Sequence, residues 1–382
     1  MAATRIGPAE LSLQGKLRHL NWSFVAVVVL IALVGYAMLY SAGGGAHGPW
    51  AWRHSVRFGI GITAMLVVAL IDIRFWFRLA YPIYAVALIG LIAVEVLGIV
   101  SMGAQRWINL GLFQLQPSEV MKIGLVLALA RWFHGAWLED VARPTFLAMP
   151  VLLIAVPAVL VLKQPDLGTA IMLAGGGAAM LFLAGVRWWK FALVLGPMLM
   201  ALPLIWQQLH DYQKNRVMTF LDPERDPLGA GYHITQSKIA LGSGGLWGKG
   251  FLQGTQSQLS FLPEKQTDFI FTMLAEEIGL VGALGLLALF MLLVGAGLVF
   301  ALRARSQFAR LLAMGVTSTF FLYVVINIAM VTGLIPVVGV PLPMISYGGT
   351  AMITVLTGFG LLLSVDIHRD IAIPRFPADP AR

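Results

Sequence analysis

The chain has 382 residues, of which 59% are hydrophobic and only 12% are charged. A soluble protein normally carries about a quarter charged residues, so this composition excludes a soluble globular domain and indicates a polytopic membrane protein. The net charge of +8 requires no nucleic acid partner, since most of the basic residues fall in loops on one predicted face, and the absence of cysteine excludes disulfides and thiolate metal sites.

Apolar runs long enough to cross a hydrocarbon core of ~30 Å recur along almost the whole chain. They predict an all-α membrane protein with ten transmembrane helices, near residues 22–42, 56–72, 80–100, 117–134, 145–162, 166–185, 190–208, 268–300, 309–334 and 344–366. We interpret residues 1–382 as a single membrane domain. Its tails are residues 1–21 and 367–382.

The basic residues of the short connections predict the orientation. With the N-terminus inside, most of them fall on the cytoplasmic side, and the short outer connections contain only Arg53, Arg57, Arg106 and Lys163. Both termini are therefore expected in the cytoplasm.

The connection between helices seven and eight, residues 209–267, is far longer than the others and falls on the outer side. A connection of that length is usually functional or disordered. Its segments YQKNRVMTFL and GYHITQSKIAL are typical of short amphipathic helices, the second ending at GSGG. We expect an ordered cap over the membrane helices, whose Gly-rich stretches permit movement. A flexible spacer is the alternative.

Polar residues within the apolar runs concentrate at the predicted outer ends of four helices. A charge at the bilayer centre costs at least ~2.5 kcal/mol, so such groups normally face a cavity, a partner or a pathway. Helix four opens with QPSEVMK, helix six with QPDLGTA, helix eight with TDFIF and helix ten near ISYGGTAM, while GAQRWINLG precedes helix four. These stretches place six candidate site residues at one depth: Arg106, Glu119, Lys122, Asp166, Asp268 and Ser346.

The helix openings also predict local geometry. Pro117 and Pro165 are expected in the first turns of helices four and six, where the missing N–H costs nothing. Asp268 is expected in the first turn of helix eight, with Thr267 as its cap.

Several of these residues also have a purely structural explanation. An acid in the first turn of a helix complements the helix dipole by ~0.3–1 kcal/mol, which would account for Glu119 or Asp166 alone. Glu119 and Lys122, three residues apart, can form an ion pair that lets both enter the membrane. Glu276 and Glu277, deeper in helix eight, suit packing at least as well as chemistry. The shared location of so many polar groups is nevertheless more than anchoring requires.

The combined groups favour a phosphate or diphosphate at the membrane surface, because helix N-termini with unpaired N–H groups lie beside Arg106 and Lys122. Carboxylates there would repel the anion unless one accepts a proton or a divalent cation bridges the two. Both options indicate chemistry on a lipid-linked phosphate. A flippase for a lipid-linked oligosaccharide stays open, although transporters place polar sites near the midplane. A scaffold for a partner enzyme also stays open.

Taken in order, the motifs closely resemble the SEDS family over nearly the whole chain. The matching stretches are GAQRW (103–107), QPSEVMK (116–122), QPDLGTA (164–170), LDPERDPLGAGYH (221–233), GTQSQ (254–258), LPEKQTDFIF (262–271) and PVVGVPLPMISYGGT (336–350). The combination of HDYQKNRV, LDPERDPLGAGYH and GTQSQ is more similar to the RodA branch, which serves elongation. The FtsW branch, which serves division, shares QPSE, TDFIF and SYGG and remains the alternative.

This resemblance implies a peptidoglycan glycosyltransferase that polymerises lipid II into β-1,4 glycan strands at the outer face of the inner membrane, for elongation and rod shape. It implies that Asp268 is catalytic, that Arg106, Glu119 and Lys122 line the same cavity, and that Asp166 is a sensitive position. It also implies a class B penicillin-binding protein, a transpeptidase, as partner.

The mechanism expected from the residues and the resemblance together has Asp268 take a proton from the 4-hydroxyl of the acceptor lipid II. Undecaprenyl diphosphate then leaves the growing strand. Its charge is expected to be balanced by Arg106, Lys122, Arg216, Lys238 and Lys249. A divalent cation such as magnesium or manganese, held near Asp268, could share that task. The family usually has His where Gln266 stands, which puts any imidazole role in doubt.

Overall fold

The structure is a computed structural model that describes residues 12–374, apart from residues 102–103, 110, 112–113, 202, 204–205, 208–210, 223–229, 260 and 262–263. In these residues the chain is mainly helical, with almost no strand. The helices are α1 (Leu13–His19), α2 (Trp22–Ala42), α3 (Ala51–Leu70), α4 (Ile73–Leu97), α5 (Pro117–His134), α6 (Leu138–Ala142), α7 (Pro144–Lys163), α8 (Leu167–Leu183), α9 (Trp188–Met200), α10 (Asp211–Leu221), α11 (Ala230–Ser243), α12 (Thr255–Gln258), α13 (Ile270–Arg303), α14 (Gln307–Val331) and α15 (Gly349–Ile367).

The multi-pass helical fold predicted from composition is confirmed. Among the described residues, seven helices are long and apolar enough to cross a membrane, namely α2, α3, α4, α7, α13, α14 and α15. The three other predicted runs also contain helices, α5, α8 and α9. Helix α5 carries three charged residues, whereas α8 and α9 have only 17 and 13 residues. Each predicted run therefore corresponds to one helix.

Contacts sort the helix ends into two layers. At the tail end, Lys16 Nζ donates to the carbonyl of Leu70 at 2.8 Å, and the backbone N–H of Arg305 donates to the carbonyl of Arg369 at 3.0 Å. The described ends of the chain both lie in this layer. Helices α5, α8, α13 and α15 begin in the opposite layer, the loop end. This matches the prediction that four polar helix starts share one depth.

Helix α14 lies at the centre of the bundle, where it contacts α5, α8, α13 and α15. Phe320 of α14 packs on Phe359 of α15 with ring centroids 5.0 Å apart and on Phe290 of α13 at 5.7 Å. Such aromatic pairs contribute ~0.5–1.5 kcal/mol each beyond the area they bury. The central position lets α14 hold residues from several helices in register at the loop end.

A small antiparallel sheet was not predicted. Its strands β1 (Ile99–Ser101), β2 (Ala104–Asn109) and β3 (Gln114–Leu115) follow one another as a meander before α5. Strands of two to six residues are too short to show a two-residue periodicity against an apolar background. The sheet matters because β2 carries Arg106.

The long connection between α9 and α13 contains both predicted amphipathic helices, α10 and α11, and α11 ends at Ser243 as expected. Helix α11 packs on the membrane helices. The Ser237 hydroxyl lies 2.8 Å from the Thr272 hydroxyl and donates to the carbonyl of Val331 at 2.7 Å. These contacts support the predicted cap for the described part of this connection.

Candidate active site

Asp268 lies in a turn that precedes α13, two residues before the first helical residue, Ile270. The predicted position in the first helical turn is therefore wrong. Thr267 is not the cap either, since its hydroxyl donates to the Glu264 carboxylate at 2.8 Å and the capping position is occupied by Phe269. The N–H of Thr267 bonds to the Glu264 carbonyl at 3.0 Å, and this turn delays the start of the helix.

The segment before α15 holds this turn from one side. The Ser346 hydroxyl donates to the carbonyl of Thr267 at 2.6 Å and accepts the N–H of Leu342 at 2.8 Å. The N–H of Tyr347 donates to the carbonyl of Gln266 at 2.8 Å. Ser346 is buried and already engaged by two backbone groups. Its geometry supports a role in holding the turn, whereas the predicted substrate contact stays a prediction.

Helix α14 holds the same turn from below. The side-chain amide of Asn327 donates to the carbonyl of Asp268 at 3.0 Å and to that of Val340 at 2.7 Å. Gly339 borders the acid directly, because a Cβ added there would lie 3.5 Å from Asp268 Oδ2. The carboxylate of Asp268 is therefore only partly exposed and faces the backbone of the segment after α14.

Glu119 and Lys122 form the predicted ion pair on α5, with Nζ and Oε1 2.7 Å apart and both side chains buried. The Tyr323 hydroxyl completes the group by donating to Glu119 Oε2 at 2.7 Å and accepting from Lys122. The hydroxyl supplies the extra hydrogen bonds that a buried pair needs to offset desolvation. Tyr323 and Asn327 lie one turn apart on one face of α14, so this trio is adjacent to the Asp268 turn.

Arg106 reaches from β2 to the start of α8. Its guanidinium donates to the carbonyls of Gln164, at 3.3 Å, and Pro165, and lies 3.8 Å from Asp166 Oδ2. About 30% of the side chain is exposed, so an incoming anion has access to it. Among the predicted cations whose side chains are described, Arg106 combines exposure to solvent with a position close to the helix starts.

Asp166 is the N-cap of α8, where its carboxylate accepts the Thr169 N–H at 3.1 Å and the Thr169 hydroxyl at 2.9 Å. The structure thus supports a capping role for this acid, and the substrate contact predicted for it stays a prediction. Pro165 precedes the cap and does not occupy the first turn, because the helix begins at Leu167. Pro117 does begin α5, as predicted.

Arg57 is a site residue that sequence reasoning missed. Its guanidinium carbon lies 4.5 Å from the centre of the Tyr347 ring, and a Cβ added at Gly349 would lie 2.7 Å from its Nε. It thus supports the segment that holds the Asp268 turn. In the sequence it stands out only as one of the few basic residues of the short outer connections.

The predicted basic residues of the long connection are less central. Lys249 donates to Glu276 Oε1 at 2.8 Å and to the Thr255 hydroxyl at 2.6 Å, so its charge is balanced within the protein. Lys238 is exposed on α11 and lies against Gly333. The side chain of Arg216, in α10, lies outside the described residues. The structure therefore brings together Arg106, Glu119, Lys122, Asp166, Asp268 and Ser346.

Glu276 and Glu277 attach the connection to α13. Glu276 accepts the Gln256 N–H at 2.9 Å in addition to Lys249, and Glu277 accepts the Ser41 hydroxyl of α2 at 2.6 Å. Both acids are fully or almost fully buried. Their burial and contacts support the packing role among those left open for them.

The backbone of the long connection also forms hydrogen bonds with backbone groups of α13. At Gly279 the helix is broken, with a φ of 77°. There the N–H of Lys249 donates to the Glu276 carbonyl at 3.0 Å, and the N–H of Leu280 donates to the Gly245 carbonyl at 3.0 Å. Backbone groups freed by a break in a membrane helix must find such partners.

Lys265 lies three residues before Asp268 and donates to the carbonyl of Ser257 at 2.6 Å. Burial lowers its pKa, and the nearby Glu277 carboxylate partly offsets that effect. The Lys265 side chain therefore connects the Asp268 turn to α12, which contains Ser257.

The described residues contain no group of three or more His, Asp or Glu side chains that could hold a metal ion. Magnesium, however, is usually bound by one or two carboxylates together with substrate phosphates. Asp268 fits that mode of binding, since its carboxylate is partly exposed beside the helix starts.

The chain is similar to known proteins over most of its length. Residues 17–371 match the FtsW/RodA/SpoVE family, described as cell cycle protein. The chain is 48% identical to "Peptidoglycan glycosyltransferase MrdB" of Escherichia coli (strain K12), over 92% of this chain and 94% of that protein. It is 37% identical to "Probable peptidoglycan glycosyltransferase FtsW" of Trichlorobacter lovleyi, over 93% and 96%.

Solved structures show the same fold. The chain superposes with a TM-score of 0.81 and 34% identity on a chain described under "Structural coordination of polymerization and crosslinking by a peptidoglycan synthase complex", covering 92% of this chain and 98% of that one. It superposes on the rod shape determining protein RodA of Thermus thermophilus with a TM-score of 0.70 and 31% identity, covering 92% and 98%.

Proposed function

Since the chain belongs to the FtsW/RodA/SpoVE family and is a peptidoglycan glycosyltransferase, we propose that it polymerises lipid II into β-1,4 glycan strands at the outer face of the inner membrane. Its greater identity to MrdB than to the FtsW proteins supports a role in elongation and rod shape. The basic residues of the tail end support a cytoplasmic location for both tails.

The observation that carries the proposal is the Asp268 turn, in which an acid is held at the loop end by Ser346, Tyr347 and Asn327. A general base must reach the proton that it removes, and a fixed backbone gives that precision. In the proposed step, the Asp268 carboxylate accepts the proton of the acceptor 4-hydroxyl. The oxygen forms a bond to the anomeric carbon of the strand, and the bond from that carbon to the diphosphate breaks.

The diphosphate leaves with the bonding electron pair, and inversion turns an α-linked donor into a β linkage. Arg106 is the best placed of the predicted cations to receive this charge, because its guanidinium is partly exposed beside the start of α8. Lys122 is held by Glu119 and Tyr323, so the trio contributes an oriented polar wall and little net charge. A divalent cation held by Asp268 and substrate phosphate would supply further neutralisation when bound.

A class B penicillin-binding protein is the proposed partner. The structural neighbour described as part of a peptidoglycan synthase complex, in which polymerization and crosslinking are coordinated, supports this pairing. Helices α13 and α14 are the proposed contact elements. Helix α13 leaves Leu284, Met291 and Leu292 exposed on the bundle surface, where a partner helix could pack.

The direct test uses purified protein and lipid II. Wild-type protein should form glycan polymer, and Asp268→Ala should form none above background while keeping its thermal melting temperature. Asp72→Asn, at the tail end, is the matched control for losing an acid and should polymerise normally. Normal polymerisation by Asp268→Ala would sink the assignment of the base. Lipid II movement without polymer in the wild type would instead favour a flippase.

A further inference from the structure

Asn327 is a fully buried amide that lies on α14, in the centre of the bundle. Its Nδ2 donates to two backbone carbonyls, those of Asp268 at 3.0 Å and Val340 at 2.7 Å. Because both neighbours are acceptors, the orientation of the amide is determined: the NH₂ group must face them.

The two acceptors belong to segments that lie outside regular secondary structure. Asp268 lies in the turn before α13, and Val340 lies in the irregular stretch between α14 and α15. Both segments border the same carboxylate, since Gly339 lies against Asp268 Oδ2. The Asn327 amide therefore attaches both the Asp268 turn and the neighbouring 338–340 segment to α14.

The helix that carries Asn327 also carries Tyr323 one turn earlier, where its hydroxyl donates to Glu119 at 2.7 Å and accepts from Lys122. Residues at i and i+4 lie on one helix face. A single face of α14 thus sets the position of the Asp268 turn relative to the polar trio on α5.

We propose that Asn327 is a positioning residue for the glycosyl transfer, which holds the backbone of Asp268 and the 338–340 segment so that the carboxylate meets the acceptor hydroxyl. This inference rests on the proposed function. Asn327 acts through Asp268 and takes no part in the bond changes.

The first test compares wild type, Asn327→Ala and Thr317→Val in lipid II polymerisation. Thr317 is the matched control, because it is buried on the same helix but its hydroxyl donates only to its own helix, to Ala313 at 2.8 Å. Asn327→Ala should lower kcat about 10²-fold, as expected for a misplaced base, with KM within about twofold of wild type. Thr317→Val should retain wild-type kcat.

Hydrogen exchange supplies a readout that is independent of activity. Amides of residues 264–272 should exchange faster in Asn327→Ala than in wild type, and at the wild-type rate in Thr317→Val. Wild-type exchange in Asn327→Ala, or wild-type kcat, overturns the proposal. An inactive wild type would contradict the proposed function, while the exchange comparison would still decide whether Asn327 holds the turn.

Asn327→Asp is the second variant, and it answers the question if Asn327→Ala does not fold. Its carboxyl group is close in size to the amide but offers at most one donor for the two carbonyl oxygens, and none when ionised. Asn327→Asp should therefore lower kcat about as far as Asn327→Ala does, and the amides of residues 264–272 should exchange faster than in wild type. Wild-type kcat or wild-type exchange in Asn327→Asp overturns the proposal.

Discussion

At the scale of single residues, the acid was predictable and its surroundings were not. TDFIF identifies Asp268 through its position at a helix start and the family resemblance. The groups that hold it come from 59 and 79 residues away in the chain, as in the bonds from Asn327 and from Ser346 to Thr267. A pattern of neighbouring residues in the sequence cannot predict contacts between residues so far apart in the chain. The Glu119–Lys122 pair was predictable because its spacing is local, but its third member, Tyr323, was not.

The buried trio leads to a stability prediction. Glu119→Gln should destabilise the protein by about 3–5 kcal/mol, since Lys122 would remain buried without its counter-charge. Glu119→Gln combined with Lys122→Met should recover most of that loss but not the activity. Chemical or thermal unfolding and polymerisation measure the two effects. Asp72→Asn, which removes one partner of a partly exposed pair with Arg74, is the control and should cost about 1 kcal/mol or less. A similar loss in both acid variants would contradict the buried-pair account.

Arg57 gives a second prediction at this scale. Arg57→Lys should lower activity about tenfold, equivalent to ~1.4 kcal/mol, because a lysine does not reproduce the planar contact with the Tyr347 ring. Arg53→Lys changes an exposed arginine one turn earlier on α3 and should leave the polymerisation rate unchanged. Equal activity of the two variants would remove Arg57 from the site.

At the scale of elements, the helices followed from composition and the loop did not. Apolar runs and amphipathic segments gave α10, α11 and the membrane helices. The mode of attachment of the connection depends on backbone hydrogen bonds at a break in α13, which hydropathy does not report. Glycines in GSGGLWGKG suggested mobility. In the structure Gly248 is packed against the carbonyl of Glu277. This close approach of the two backbones explains the glycine at position 248 better than mobility does.

The break in α13 gives a paired prediction. Gly279→Ala should destabilise the protein by more than 1 kcal/mol, because its φ of 77° disfavours any side chain and a Cβ would meet the backbone of Gly248. At Gly285, in the regular part of the same helix, an added Cβ would meet nothing within 4 Å beyond the nearby backbone of its own helix, so Gly285→Ala should be neutral or stabilising by ~0.5–1 kcal/mol. Melting curves of the two variants check this. A stable Gly279→Ala with normal activity would show that the break is dispensable.

At the scale of the whole molecule, alternation of the helices predicted which polar starts meet at the loop end, because successive spans reverse direction. It could not predict how α14 passes through the centre and joins α5, the Asp268 turn and the 338–340 segment. Those contacts depend on helix packing in three dimensions. The central claim is that the grouped residues form a polymerase site that opens at the loop end.

Oriented proteoliposomes test that claim most directly. Wild-type protein and Asp268→Asn would be reconstituted with a known orientation, and lipid II supplied only to the leaflet on the loop side or only to the opposite leaflet. The account predicts that wild-type protein forms polymer when lipid II is supplied on the loop side. It predicts no polymer from wild type with lipid II on the opposite side, and none from Asp268→Asn with lipid II on either side. Polymer made by Asp268→Asn at the wild-type rate, or polymer made by wild type only from the opposite leaflet, would contradict it.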